Sequence, residues 1–403
     1  MKCERHSRFT LWRNYFRNTL PALGPKPRRV SEESIRSAKR ITILKRDNIG
    51  DMVLATVFLN TAYERWRDRD VLVVCTAAGE ELVRAMYPRW TVQVLSGGDD
   101  PAQYKGRWGK VSDLRRRVEG WPQTDLMINL RSIRHQYEVL FDSWVPAKAK
   151  FAICNQWNYD DGDYLRVPDS RVYSAGVEGV TQGTADVCTQ IANYRKLLGF
   201  FFPDVKAPGV WPELKLDAYW PAAKAAVAAK GGITADTLVW CPFPSGDIRR
   251  YPEDKFIDAV SRIARTYGLA VTIVGGPKDE NAAQALANRL DVTKGVVALA
   301  GKLSVIESAA VISSAQLVVG VETGPLHMAV ASRVPTIVLL GGGHYGIFGP
   351  WGSPQRVKWL THPLPCFGCG WLCTQKEPFC ITNIDAASIV DAADELLTGR
   401  AVV

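Results

Sequence analysis

Short runs of β-branched and aliphatic residues recur along this chain, each closed by a polar or glycine-rich turn and followed by a segment with helical spacing. ITILKR, VLVVC, TVQVL, DLMINL and AKFAIC lie in the first half; TLVWCPF, AVTIVGG, VVALAG, LVVGVE and PTIVLLGG lie in the second. Strands that alternate with helices predict parallel sheets of the βαβ kind, an α/β fold whose ligands bind outside the carboxyl ends of the strands. The proline-rich stretch PDVKAPGVWPELKLDAYWP, which has no clear period, separates the two halves. With 403 residues the chain exceeds one ordinary core. The expected organisation is a leader over residues 1–40, a first domain over 41–205, a linker over 206–230 and a second domain over 231–403, with a cleft between the two halves.

Composition narrows the class. The chain is 47% hydrophobic and 23% charged, which is globular rather than disordered. It has no apolar run of membrane-spanning length, and its opening lacks the continuous apolar core of a secretory signal, so the expected location is cytoplasmic. Much of the +9 charge sits in the leader, where eleven Lys and Arg face three Glu over residues 1–40. There RFTLWRNYFRNTL interleaves arginines with Phe9, Leu11, Trp12, Tyr15, Phe16 and Leu20. Such a segment suits either an anionic membrane surface or a helix that packs its aromatics on protein. No nucleic-acid reader motif accompanies the charge, so nucleic acid is set aside as a partner.

One turn stands out in the first half. ITILKR ends in DNIGD and re-enters a helical pattern, which places Asp51 directly behind Gly50 at the carboxyl end of a strand. A carboxylate there serves either chemistry or the positive end of the helix dipole. In the second half the turns FPSGD, VGGPKDE, VETGP and LLGGGHYG are built from small residues. Their backbone N–H groups suit phosphates, though glycines also serve simple tight turns. Neither a P-loop nor a well-placed dinucleotide fingerprint is present.

The segment LAGKLSVIESAAVISSAQLVVGVETGPLHMAVASRVPTIVLLGGG, residues 299–343, resembles the signature region of glycosyltransferase family 9, the lipopolysaccharide heptosyltransferases. Residues 41–59 resemble that family's amino-terminal Gly-Asp motif, DIRRYPEDKFIDAV its basic-basic-aromatic-Pro motif, and VGGPKDE its acidic turn, in the family's order. The resemblance implies a GT-B type fold, with two Rossmann-like domains facing each other across a cleft, the first serving the acceptor and the second the nucleotide sugar. It implies inverting transfer from a nucleotide-diphosphate sugar, commonly ADP-heptose, to a lipopolysaccharide or similar glycan acceptor. Asp51 matches the proposed general base, which would take the acceptor's hydroxyl proton.

The leaving diphosphate needs positive charge, and no carboxylate pair for a divalent ion is apparent, so no cofactor is expected in catalysis. Arg249 and Arg250 suit the task through bidentate contacts, against the plainer reading of a solvated face. Thr323 and Gly324 match positions that lie against the diphosphate, and Ser245 offers another hydrogen bond to it. Asp279 or Glu280 is placed to accept from ribose hydroxyls. Glu322 stands where an aspartate is usual in the family, and His327 is a binding candidate inside an apolar helix.

Nine cysteines include four in one loop, Cys366, Cys369, Cys373 and Cys380, spaced C-x2-C-x3-C-x6-C. Four thiolates at this spacing suit a structural zinc or iron ion; disulfides are the alternative if the protein is exported. Two other functions stay open at this stage. One is a nucleotide-sugar epimerase of related fold, and the other is an inactive sugar-nucleotide-binding module.

Overall fold

The computed structural model describes residues 30–95, 108–132, 136–154, 171–180, 188–232 and 236–399. They form two units. The first takes the chain as far as Asp47, then Phe58–Thr181 and Asn193–Gly209; the second takes Asn48–Val57, Gln182–Ala192 and Val210–Val403.

The first unit carries strands β1 (Arg40–Lys45), β2 (Asp70–Thr76), β3 (Thr91–Leu95), β4 (Thr124–Asn129), β5 (Ala147–Cys154) and β6 (Ala175–Glu178). They pair in parallel in the order β3-β2-β1-β4-β5-β6. The second unit carries β7 (Thr237–Cys241), β8 (Ala270–Ile273), β9 (Val296–Ala298), β10 (Leu317–Val321), β11 (Thr336–Leu339) and β12 (Val357–Leu360). Their order, again all parallel, is β12-β11-β10-β7-β8-β9. Both sheets thus follow the doubly wound plan, in which the chain reverses direction next to the first strand. That reversal lies between β1 and β4 in one sheet and between β7 and β10 in the other. The α/β expectation is met, with two Rossmann-like sheets of the GT-B type.

Burial explains the strands. Every residue of β7 and of β10 is buried, the signature of a parallel strand covered on both faces. Gly320 within β10 is required there, since a Cβ would run into the Cys241 carbonyl on β7. Helices cover the sheet with one apolar stripe each. Glu253–Tyr267 buries Phe256, Ala259, Val260, Ile263 and Ala264 and stops at Gly268, whose φ of 59° is left-handed. Val305–Ser313 starts with a capping box in which Ser304 and Glu307 satisfy each other's backbone N–H.

Two of the four edge strands, β6 and β12, escape the sequence reading. β6 has only the half-exposed AGVE, and β12 the partly exposed VKWL, so neither carries a long apolar run. Residues 206–230 contain a 3-10 turn, Ala207–Gly209, and a helix, Trp220–Ala229, that packs on Val305–Ser313. Lys230, just past that helix, pairs with Glu307 at 2.7 Å. Of the leader, residues 1–29 lie outside the described residues; Glu32–Arg36 is a short helix capped by Ser31, with Ile35 buried. Among the described residues no helix is long and apolar enough to cross a membrane.

Candidate functional site

The richest group of polar side chains in the second unit gathers at its chain reversal. β7 ends at Cys241 and leads through Ser245 into the 3-10 turn Asp247–Arg249, while β10 ends at Val321 and leads into Glu322 and Thr323. Parallel strands in adjacent positions bring these two exits side by side. Glu322 is the centre of the group. Its carboxylate, 7% exposed, accepts from Nε2 of His327 at 2.9 Å and from Nδ1 of His344 at 2.6 Å. Arg249 places Nη1 at 3.4 Å from both the Glu322 side chain and its carbonyl oxygen, and also reaches the Ser245 hydroxyl. Burial by itself would raise the Glu322 carboxyl, but the two histidines outweigh it and hold the group well below the ordinary carboxylate range. Glu322 is therefore an anion under physiological conditions.

Thr323 caps the helix Gly324–Ala331 with extended backbone, and its hydroxyl turns back to the Val321 carbonyl rather than covering the helix end. The N–H groups of Thr323 and Gly324 donate to no protein group among the described residues. They are left for an anion at the positive end of the helix. Against this helix start lies another, Ile49–Arg65, whose residues 48–57 belong to the same unit. A Cβ on Gly324 would sit 3.2 Å from Ile49 Cβ and 3.3 Å from the Gly50 nitrogen, and a Cβ on Gly50 would sit 2.9 Å from His327 Cδ2. Glycine at both positions is what lets the two helix starts meet. Half-buried Asp51, in the first turn of its helix, is thereby carried next to the Thr323–Gly324 turn.

Arg250, Asp279 and Glu280 fall outside this group. Arg250 is exposed and pairs with Asp247 at 2.9 Å. Asp279 caps its own turn, accepting from the Gly276 N–H at 2.9 Å, and Glu280 is exposed at the start of the next helix. His327 is fully engaged: besides Glu322, its Nδ1 accepts from the Trp351 indole at 3.2 Å, and the two rings stack at 5.9 Å with 5° between planes.

His344 was not singled out in the sequence. It follows β11 in the GGGH turn, and the signal that could have found it is a polar residue behind three glycines at a strand's carboxyl end. Also unmarked was a buried ionic group at the reversal in the first unit. There Lys45 and Arg131 hold Asp47 at 2.5 and 2.6 Å, and Arg131 also pairs with Glu138. Burial would raise the Asp47 carboxyl, but Arg131, Lys45 and Arg46 hold it below its usual range. Arg131, whose side chain is 22% exposed, is the member of this group that solvent reaches most.

The cysteine loop borders the second unit's group through aromatic rings. Cysteine side chains at 366 and 369 are half-buried, Cys373 is exposed and Cys380 is buried, all as free thiols. Burial pushes the Cys380 thiol up, and the neighbouring Cys369, Cys366 and Cys373 act in the same direction against a backbone hydrogen bond with Gly342. The thiols are thus neighbours, yet among the described residues no three His, Cys, Asp or Glu side chains are disposed to hold a metal ion. Between the cysteines, Trp371 lies over Gly341 and Gly343 and Phe367 over Gly342, so closely that a Cβ on any of the three would overlap a ring.

Comparison with known proteins agrees with the motif reading. Residues 184–372 match the profile of glycosyltransferase family 9 (heptosyltransferase). Over 133 residues the chain is 31% identical to lipopolysaccharide heptosyltransferase 3 of Escherichia coli, a match that spans 32% of this chain and 38% of that protein. In fold it is similar to a family 9 glycosyl transferase from Veillonella parvula, with a TM-score of 0.66 at 16% identity over 90% of this chain and 98% of that one. It is likewise similar to Escherichia coli heptosyltransferase WaaC with ADP, with a TM-score of 0.62 at 17% identity over 89% of this chain and 99% of the other.

Proposed function

We propose that this chain, whose residues 184–372 match the profile of glycosyltransferase family 9, transfers a heptose or related sugar from a nucleotide-diphosphate sugar, ADP-heptose above all, to a lipopolysaccharide core or similar glycan. The observation that carries the reading is the meeting of two helix starts at the second unit's chain reversal. One offers the undonated N–H groups of Thr323 and Gly324 beside Arg249, and the other offers the carboxylate of Asp51.

In this reading the donor's diphosphate takes hydrogen bonds from Thr323, Gly324 and Arg249, which stabilise the charge that grows as it leaves. Asp51 accepts the proton of the acceptor hydroxyl, whose oxygen bonds to the anomeric carbon from the side opposite the diphosphate. The bond from that carbon to the diphosphate oxygen breaks with its electron pair, so configuration inverts. Glu280 accepts from the ribose hydroxyls, because Asp279 is spent as a cap. The basic leader fits peripheral attachment to an anionic inner-membrane surface, where a lipid-linked acceptor resides. The four-cysteine loop fits a structural zinc or iron ion on the chemistry of its donors, with the thiols drawing closer around it.

Isothermal titration with ADP, UDP and GDP, repeated with Arg249→Ala, tests the reading. Selective ADP binding that weakens at least about tenfold in the variant is expected. Preference for UDP favours another donor or the epimerase, and absence of any binding favours the inactive module.

A further inference from the structure

We infer that His344 is the histidine that meets the donor's diphosphate, with Glu322 as the residue that aims it; the inference rests on the proposed nucleotide-diphosphate reading. His327 has nothing to give a ligand. An indole N–H only donates, so the bond from Trp351 fixes a lone pair on His327 Nδ1 and a proton on Nε2, and that proton is spent on Glu322. The side chain is 2% exposed.

His344 is arranged the other way. Glu322 is ionised and can only accept, so His344 carries a proton on Nδ1 and spends that nitrogen on the carboxylate at 2.6 Å. Nε2 forms no hydrogen bond with any described residue, and the side chain is 19% exposed. The same Glu322 oxygen that receives His344 lies 3.4 Å from Arg249 Nη1. One buried carboxylate therefore holds a guanidinium and an imidazole together beside the free N–H groups of the helix start. With Nδ1 spent on the carboxylate behind the ring, Nε2 is the nitrogen left for a ligand, and as an N–H it donates to the diphosphate before it. Nucleoside diphosphates are the ligand class this fits, since the group presents several donors to one compact multiply charged anion.

The ring's direction is set twice more. Trp371 meets it edge-on at 5.3 Å between centroids and Phe348 packs at 4.7 Å, so the imidazole is held by two aromatics as well as by Glu322. In the transfer step His344 gives only a hydrogen bond. The electron pair of the breaking bond goes to the diphosphate oxygen, and the acceptor's proton goes to Asp51.

The test is titration of the full chain and of His344→Asn with ADP and with AMP. Asparagine keeps a donor to Glu322 but has nothing at the place of Nε2. The expected result is about tenfold weaker ADP binding with AMP affinity changed less than about twofold, since only the terminal phosphate loses a contact. His344→Gln, which returns an N–H near that place, should recover part of the ADP affinity; both variants should melt within a few degrees of the parent. Unchanged ADP affinity in His344→Asn, or equal loss for ADP and AMP, overturns the role of His344 while leaving the donor reading intact. Failure of the parent chain to bind either nucleotide overturns the donor reading itself.

Discussion

Trp351 donates its indole N–H to Nδ1 of His327 at 3.2 Å, and that single bond determines which of the histidine's nitrogens can serve Glu322. It makes the Glu322 environment one of donors only, which is why the carboxylate stays ionised although buried.

A pH dependence follows. The folded-state value of Glu322 is depressed below its ordinary 4.5, so its stabilisation is complete above that value and is lost as pH falls toward the folded value. Glu322→Gln should remove that part of the acid sensitivity and lose about 1–3 kcal/mol near neutral pH, because two imidazole donors lose their charged acceptor. Urea unfolding of both chains from about pH 3 to 7 measures it; parallel stability curves would count against this account of Glu322.

Gly50→Ala should destabilise the second unit. Alanine favours a helix by about 1 kcal/mol over glycine, but overpacking costs about 1–3 kcal/mol when the neighbour cannot yield. His327, the neighbour at 2.9 Å, is bonded through both nitrogens and stacked on Trp351. Thermal melts should show a lower midpoint for Gly50→Ala, and a double variant with His327→Ala should be less unstable than the two losses added together.

Asp51→Asn should separate chemistry from binding. With a general base removed, release of ADP from ADP-heptose in the presence of a lipopolysaccharide core acceptor should slow by about 100- to 10,000-fold. Binding of ADP should change less than about twofold, since in the proposed reading the carboxylate serves the acceptor hydroxyl and not the leaving group. Equal turnover in both chains would return Asp51 to the role of a helix-start charge.

Purified protein should carry about one zinc or iron per chain by elemental analysis, and Cys380→Ser should lower both that content and the melting temperature. A metal-free chain with its four loop thiols open to titration by a thiol reagent would remove the ion from the description.

The sheets were legible because parallel strands buried on both faces must be continuous apolar runs, and ITILKR, VLVVC, TLVWC and LVVGV are such runs. The VETGP turn was legible for the same reason, as the small residues directly after one of them. His344 was not, because its partner Glu322 lies 22 residues away and only the pairing of β10 with β11 brings the two strand ends together. Nor did sequence separate His327 from His344, since the difference lies in Trp351, whose indole occupies one histidine's second nitrogen. The ionic group around Asp47 was hidden likewise: Arg131 and Glu138 reach it from β4 and the helix beyond, and KRD alone reads as a solvated strand end.

The turn Gly341–Gly343 has no side chains of its own to hold a shape, and its contour is moulded by Trp371 and Phe367 from a loop some thirty residues downstream. Ring and gap are two halves of one joint, and neither has a reason to exist without the other. Without the downstream loop these three positions would be free to carry side chains, and His344, which follows them, would lose one of the rings that hold it.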